Sequence, residues 1–429
     1  MSPRRFSSET IYYILSGVFA VARPIMYTTY TVYFVQAAGL DPLQLVLVGT
    51  VLELTYFLFE VPTGVVADSV SRRLSVILGF LLLGAAALLT GAVPTFTAIL
   101  LAQVISGVGY TFLSGATTAW LADEAGEGEV ARILLRSSQL ERLSSLAGIV
   151  IGAALASLWL NLTYLAGGAL LLLLGVFLIL AMPEHGFQPR PAEERNTWAV
   201  LGRTLRAGVR AVRASPILLT LIVAEFFAGA ASEGFDRLGQ AHLLANFAFP
   251  AWGGLTPIAW FGVLGVAGTL AGLVVVEPLR RRLERASRDP AGTVRALLAL
   301  EGLVIVSTLT FALTGNFWLA VVALLARDVA GALGAPLFDA WLVQTTRSEV
   351  RATVISMVGQ SNALGQMGVG PAVGAVGRYG SLRAALVTSG LLLTPVLGLL
   401  AWRLRGGNAA PTAVIVSMSR QTSAKPAPR

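Results

Sequence analysis

The stretch "GVVADSVSRR" at residues 64–73 sets one acid and two arginines between two long apolar runs, 44–63 and 74–93. Each run is long enough to cross about 30 Å of hydrocarbon as a helix, so the charged decapeptide must be a turn in water between two membrane spans. The rest of the chain repeats the pattern. Of 429 residues, 55% are hydrophobic and 13% charged, where soluble domains carry about 25% charged residues. Twelve spans can be drawn, at 10–37, 44–67, 74–93, 95–122, 131–160, 162–182, 215–244, 257–279, 294–314, 317–344, 352–377 and 381–404. The fold expected is an all-α integral membrane protein with twelve transmembrane helices in two six-helix pseudo-symmetric halves. The first span follows Arg4 and Arg5, is long and lacks a small-residue cleavage site, so it reads as a retained helix.

Composition removes several functions. With no cysteine, disulfides, thiolate metal sites and Cys nucleophiles are excluded. Lys425, in the polar tail, is the sole lysine beside 30 arginines, so no loop lysine exists for a phosphate-binding P-loop or a Schiff base. That argues against an ATP-driven pump. His185 and His242 have no nucleophile or metal constellation near them in sequence, and neither an enzyme nor a cofactor or metal site is expected.

If the spans alternate from a cytoplasmic N-terminus, nearly all loop arginines fall on one side: Arg4, Arg5, Arg72, Arg73, Arg132, six in 190–213, six in 280–295, Arg347 and Arg351. Only Arg378 and Arg383 fall in a loop on the other side. This is the positive-inside pattern, and it places both termini in the cytoplasm of a multi-pass inner or plasma membrane protein. The formal charge of +8 therefore reports orientation rather than nucleic-acid binding.

Residues 183–214 form the longest polar interruption and divide the spans six and six. The expected organisation is a first half over 1–182, a cytoplasmic linker over 183–214, a second half over 215–404 and a disordered tail over 405–429. In the linker Arg203, Arg206, Arg210 and Arg213 make one stripe of a helix whose other side carries Trp198, Leu201, Leu205 and Val212, the pattern of an amphipathic helix on a membrane surface. "AWLADEAGEGEVARILLRSSQ" at 119–139 has a counterpart in "AWLVQTTRSEVRATVISMVGQ" at 340–360, with Trp120 and Trp341, and Gln139 and Gln360, each 221 residues apart. The match puts the two halves in register as parallel repeats.

Ionisable residues nevertheless lie inside the spans: Arg23, Glu53, Glu60, Glu141, Arg142, Glu225, Glu233, Asp236, Arg237, Glu301, Arg327, Asp328 and Asp339. Facing lipid at about 2.5 kcal/mol each, they would cost roughly 30 kcal/mol together. They must face protein or water. Spans 1, 2, 5, 7 and 10 carry nearly all of them, which implies a polar inner ring around a water-accessible cavity. Asp236 with Arg237, and Arg327 with Asp328, are sequence neighbours that point about 100° apart, so each is expected to pair with another helix.

Twelve spans, two repeats, a basic central linker and the opening loop together resemble the major facilitator superfamily, over nearly the whole chain. The family's loop signature maps onto Gly64, Asp68, Arg72 and Arg73, with Ser71 where the family usually has Gly. The resemblance implies a cytoplasmic latch: Gly64 lets helix 2 approach helix 11, and Asp68 faces that helix's N-terminal end near Arg347, Arg351 and Thr353. "GLVVVEPLRRR" at 272–282 is a degraded second copy with Glu277 in the acidic place. Two antiporter patterns fit poorly: Gln103 precedes Gly107 where exporters often carry Arg, and the Gly-Pro motif lies in helix 11 at 370–374, where packing or a kink is the role for Pro371.

The function expected is secondary transport by alternating access, led by proton-coupled export of a small, partly apolar compound. Uptake of a small organic anion or other metabolite, or a non-transporting sensor or scaffold, are the alternatives. A small molecule, protons and the bilayer are the expected partners of a monomeric chain, with no nucleic acid. Glu225, Glu233 and Asp236, whose steps of eight and three return near one helix face, are the proton-coupling candidates, with Glu53 and Glu60 as the alternative pair. A carboxyl in a semi-dry cavity resists ionising and a nearby Arg reverses that. Cavity candidates are Arg23, Tyr27, Tyr30, Tyr110, Ser114, Phe226, Arg327, Asp328, Asp339, Trp341 and Gln360.

Overall fold

A computed structural model describes residues 6–189, 202, 206, 208–210, 212–286, 290–348 and 350–406. The tail and much of the linker, including Trp198, Leu201, Arg203 and Leu205, lie outside the described residues. Twelve membrane helices are seen within them. The first half comprises α1 (Ser8–Tyr27, resuming at Tyr30–Gln36), α2 (Pro42–Ser69), α3 (Arg72–Ala92), α4 (Phe96–Leu113, resuming at Ala116–Ala125), α5 (Glu127–Leu158) and α6 (Asn161–Ala181). The second comprises α7 (Pro216–Asn246), α8 (Pro257–Ala271, a π turn at Gly272–Val276, then Glu277–Ala286), α9 (Pro290–Leu313), α10 (Phe317–Thr345), α11 (Arg351–Tyr379) and α12 (Leu382–Leu392, resuming at Thr394–Gly406). Eleven are long and apolar enough to cross a membrane. The other, α11, has the length but carries Gln360, Ser361, Asn362 and Gln366 in mid-helix.

Local chemistry explains where the helices start and break. Asp41 caps α2 in a full capping box with Gln44, ahead of Pro42, and Ser71, Ser215, Thr256, Asn316 and Ser381 each accept a backbone N–H in a first turn. The break in α1 follows Pro24, and that in α4 falls at Gly115, whose φ of 72° suits glycine alone without strain.

Packing within the halves repeats. The pairs α1 with α5, α3 with α6 and α3 with α4 reappear as α7 with α11, α9 with α12 and α9 with α10. The repeated tryptophans also occupy matching places: Trp120 and Trp341 are both buried near the ends of α4 and α10. Between the halves, the related pairs α2 with α11 and α5 with α8 make the main contacts.

Those contacts gather at one end, opposite the chain termini. A Cβ on Gly374 would meet Val46 Cβ at 3.0 Å, and one on Gly377 would meet Pro42 Cβ at 2.9 Å. On the other flank a Cβ on Gly262 would meet Ala153 Cβ at 2.5 Å. Arg378 pairs with Asp41 at 3.2 Å, and Gln240 donates to the Thr28 carbonyl at 3.2 Å. Toward the arginine-rich end the halves part: a Cβ on Gly64, Gly268, Gly331, Gly334 or Gly359 would meet nothing within 4 Å. The Gly64 approach to α11 is thus unmade in this state, because the α2–α11 contact has been spent at the far end.

At the closed end the glycines are sterically required. A Cβ on Gly49 would lie 1.8 Å from Glu233 Oε1 and 2.3 Å from Arg237 Nε, so a larger residue must displace this buried ion pair or push α2 away from α7. A penalty of about 1.4 kcal/mol on the closed state already changes its population tenfold. The chain has no cysteine, so a single cysteine at the fully buried Val46 reports this end. We expect Gly49→Val to speed its maleimide labelling by about tenfold or more; an unchanged rate would mean that the glycine contact does not hold the end shut.

Candidate functional site

Between the halves lies a cavity of about 760 Å³ walled by α1, α5, α7, α8, α9 and α10. Five expected residues line it: Arg23, Tyr27, Asp236, Arg327 and Asp328. Glu141 and Arg142 of α5 line it too; they stood among the in-span charges without being singled out as site residues. Ser138, Gln240 and the α8 residues Phe261, Leu264, Gly265 and Thr269 were not foreseen, since α8 has no charge in its apolar stretch to mark an inward face.

Arg327 is the most constrained of the charges. Its guanidinium lies 3.6 Å from Asp236 Oδ1, 3.5 Å from Asp328 Oδ1, and 3.6 Å above the Phe235 ring. The expectation that it pairs with another helix holds for Asp236, while its sequence neighbour Asp328 also reaches it. Asp236 and Asp328 keep 58% and 50% of their side-chain surface exposed, turned toward the cavity. Tyr30, from the second segment of α1, donates its hydroxyl to the Asp236 backbone carbonyl, so a first-half residue grips the α7 turn that carries the acid.

The carboxylates of α7 do not share one setting. Glu233 is only 2% exposed, bonded to Arg237 Nε at 3.1 Å, and wedged between Gly49 of α2 and Gly370 of α11. Arg237 therefore pairs within its own helix rather than with another. Glu225 accepts from Asn362 Nδ2 at 2.7 Å, and Asn362 Oδ1 in turn accepts from Gln366 at 2.8 Å. Steps of eight and three leave offsets of about 80° and 60° on a helix of 3.6 residues per turn. In a crowded helix junction that angle separates a cavity wall from a helix interface. The side chains of Glu53 and Glu60 make no hydrogen bond or ion pair among the described residues.

Several expected cavity residues sit elsewhere. Trp341 is 4% exposed in the apolar core of the second half, the ordinary fate of a large aromatic at a helix junction. Tyr110 stacks on Tyr56 at 5.7 Å, and Phe226 meets Phe227 edge-on at 5.6 Å. Ser114 lies at the α4 break. Asp339, Gln360 and Tyr30 do not line the cavity. The 370–374 motif does pack: Gly370 and Gly374 face Glu233 and Val46.

The opening loop does its observed work within the first half. Arg72 pairs with Asp123 of α4, donates to the Ala119 carbonyl at 3.1 Å, and lies 3.9 Å from Asp68. Glu184, just beyond α6, accepts from Ser71 Oγ at 2.7 Å and from the Arg73 backbone N–H at 2.9 Å, so it neutralises the positive start of α3. Trp120 donates to the Pro183 carbonyl at 2.7 Å, and Glu124 accepts the Gly186 N–H at 2.7 Å. Sequence spacing does not reveal this cluster, because Glu184 lies more than 100 positions from its partners. Farther on, Arg206, Arg210 and Arg213 are exposed and Val212 is buried, while a Cβ on Gly208 would lie 2.7 Å from Thr353 of α11.

A charged-lined cavity between two six-helix repeats defines a membrane transporter. The family model of the Major Facilitator Superfamily matches residues 9–366, and the chain belongs to that family. An uncharacterized MFS-type transporter of Bacillus subtilis (strain 168), YxaM, is 23% identical over 238 residues, 54% of this chain; the chain spans about 58% of that relative's length. Among solved structures, the nucleoside transporter NupG is similar with a TM-score of 0.73 at 16% identity, covering 94% of this chain and 99% of that one. A bacterial homolog to the human lysosomal transporter Spinster, inward-facing and unoccupied, reaches 0.70 at 15%, covering 93% and 96%. At such identities the likeness is one of fold.

Removing the Glu184 carboxylate leaves two donors at the α3 start unmatched, a loss of about 1–3 kcal/mol. Glu184→Ala should lower the unfolding midpoint of the purified protein by about 1–3 °C, with Glu184→Asp intermediate. An unchanged midpoint would show that the loop is held without this cap.

Proposed function

We propose that this transporter exports a small, partly apolar solute in exchange for protons, by alternating access of the cavity between its halves. The observation that carries the reading is the cavity itself: it is lined from both halves, sealed at one end by the α2–α11 and α5–α8 contacts, and its walls part toward the other. By the arginine rule that open end is cytoplasmic, as are both termini of a monomer in the plasma membrane. In the opposite state the halves rock apart at the Gly49–Glu233 contact, and Gly64 and Asp68 approach α11.

Asp236 is the proton-coupling residue of this mechanism. It shares Arg327 with Asp328 and is held by Tyr30 through its backbone. Protonating Asp236 leaves Arg327 balanced by Asp328 alone and removes the surplus negative charge of this wall, so that a proton and the solute compete for the same site, as exchange requires. Glu233 and Glu225 serve instead as interface carboxylates that hold α7 against α2 and α11.

Uptake of a small organic anion is the second reading, favoured by Arg23 and Arg142, which face the cavity with no ion-pair partner among the described residues. Accumulation of ethidium in cells separates the directions: gradient-dependent lowering of accumulation supports export, and gradient-dependent anion entry supports uptake. For coupling, Asp236→Asn should cut pH-gradient-driven flux about tenfold or more while leaving solute exchange without a gradient within about threefold. If driven flux persists in the variant, Asp236 is not the coupling site.

A further inference from the structure

The charges of the cavity are divided between its walls by sign. On the first-half wall Arg23 of α1 and Arg142 of α5 face the cavity beside Glu141. Glu141 is engaged by Ser137 Oγ at 2.5 Å on its own helix, whereas neither arginine has a hydrogen-bond or ion-pair partner among the described residues; Arg23 only lies over the Phe19 ring at 5.6 Å. On the second-half wall, Asp236 and Asp328 share a single guanidinium, that of Arg327. The formal sum is one positive charge on the first wall and one negative on the second. The same lining also carries apolar side chains, among them Ile149 of the first half and Phe261, Leu264, Phe311 and Leu324 of the second.

We propose that the solute is a zwitterion with an apolar spacer, its anionic group on Arg23 and Arg142 and its cationic group on Asp236 and Asp328. The proposal rests on the reading of this cavity as the transport site. A solute with a single charge would balance one wall and leave the other unmatched as the cavity closes and dries, where an uncompensated charge costs most. A zwitterion balances both. Because its two ends belong to different halves, it also draws those halves together, so that binding itself favours the occluded state. The volume of about 760 Å³ lies in the range of pockets that enclose small organic ligands.

The probes are ω-amino acids of increasing length, γ-aminobutyrate, ε-aminocaproate and ω-aminocaprylate, set beside caproate and hexylamine, which keep one charged end each. Binding is read on the purified full-length protein by thermal stabilisation and tryptophan quenching, with no gradient present. At least one ω-amino acid should bind about tenfold more tightly than caproate and hexylamine. Arg142→Gln should weaken the zwitterion and caproate but leave hexylamine unchanged, Asp328→Asn should do the converse, and Arg142→Lys should restore part of the anion binding. Caproate or hexylamine binding as tightly as every ω-amino acid overturns the proposal, as does binding by no member of the series or indifference of the zwitterion to both substitutions. Intact zwitterion binding without gradient-driven flux would sink the transport mechanism and leave this assignment standing. Driven flux of a singly charged solute, with no zwitterion binding, would do the reverse.

Discussion

Hydrocarbon offers no partner for a charge or for an open backbone group, and the organisation of this protein follows from that constraint. Every span is a helix because only a helix satisfies its own backbone in lipid. The ionisable side chains turn inward because each would cost a few kcal/mol facing lipid, and a bundle with charges on its inner faces cannot close into a dry core without pairing them. Part of the set is paired and buried, as Glu233 with Arg237; Arg23, Glu141, Arg142, Asp236, Arg327 and Asp328 surround a cavity. The protein thus contains both a seal and a chamber built from the same kind of residue.

What distinguishes the two uses is glycine. Gly49, Gly370, Gly374 and Gly377 remove side chains where α2 meets α11, so that the helices close around one ion pair. Elsewhere Gly331, Gly334 and Gly359 have open space before them, and there the helices diverge. Small residues are the usual means of close approach between membrane helices, where no hydrophobic force acts between them. Here they also make the contact reversible: the seal contains few interlocked side chains, its buried Glu233–Arg237 pair stays within α7 when α2 withdraws, and the part-exposed Arg378–Asp41 pair between α11 and α2 is the one that must separate. The charged chamber and the glycine seal meet at α7, where Glu233 lies at the seal and Asp236 at the chamber, three residues apart.

Much of this was legible in the chain itself, and the reasons are physical. Span lengths, the arginine bias and the Ala-Trp-Leu repeat reflect properties that act locally or by summation, so the twelve helices and the family follow from "GVVADSVSRR" and its surroundings. The inward face of α10 was marked by Arg327 and Asp328, and that of α1 by Arg23. The inward face of α8 was not marked, because apolar and small residues read alike toward lipid and toward a cavity. Trp341 was misplaced for the same reason: an aromatic near a charged helix suits a binding wall and a core equally until its neighbours are known.

The sequence by itself determined that this chain crosses the membrane twelve times in two repeats and carries charges it must keep from lipid, because transfer energies and helix periodicity act residue by residue. Only the tertiary structure decided which charges are sealed and which are open, that Glu184 engages Ser71 and Arg73 of the opening loop, and that the cavity walls carry opposite sign. Those outcomes depend on which helix lies against which, at offsets of about 60° around a helix axis and across chain separations such as that between Ser71 and Glu184, and no local pattern encodes either.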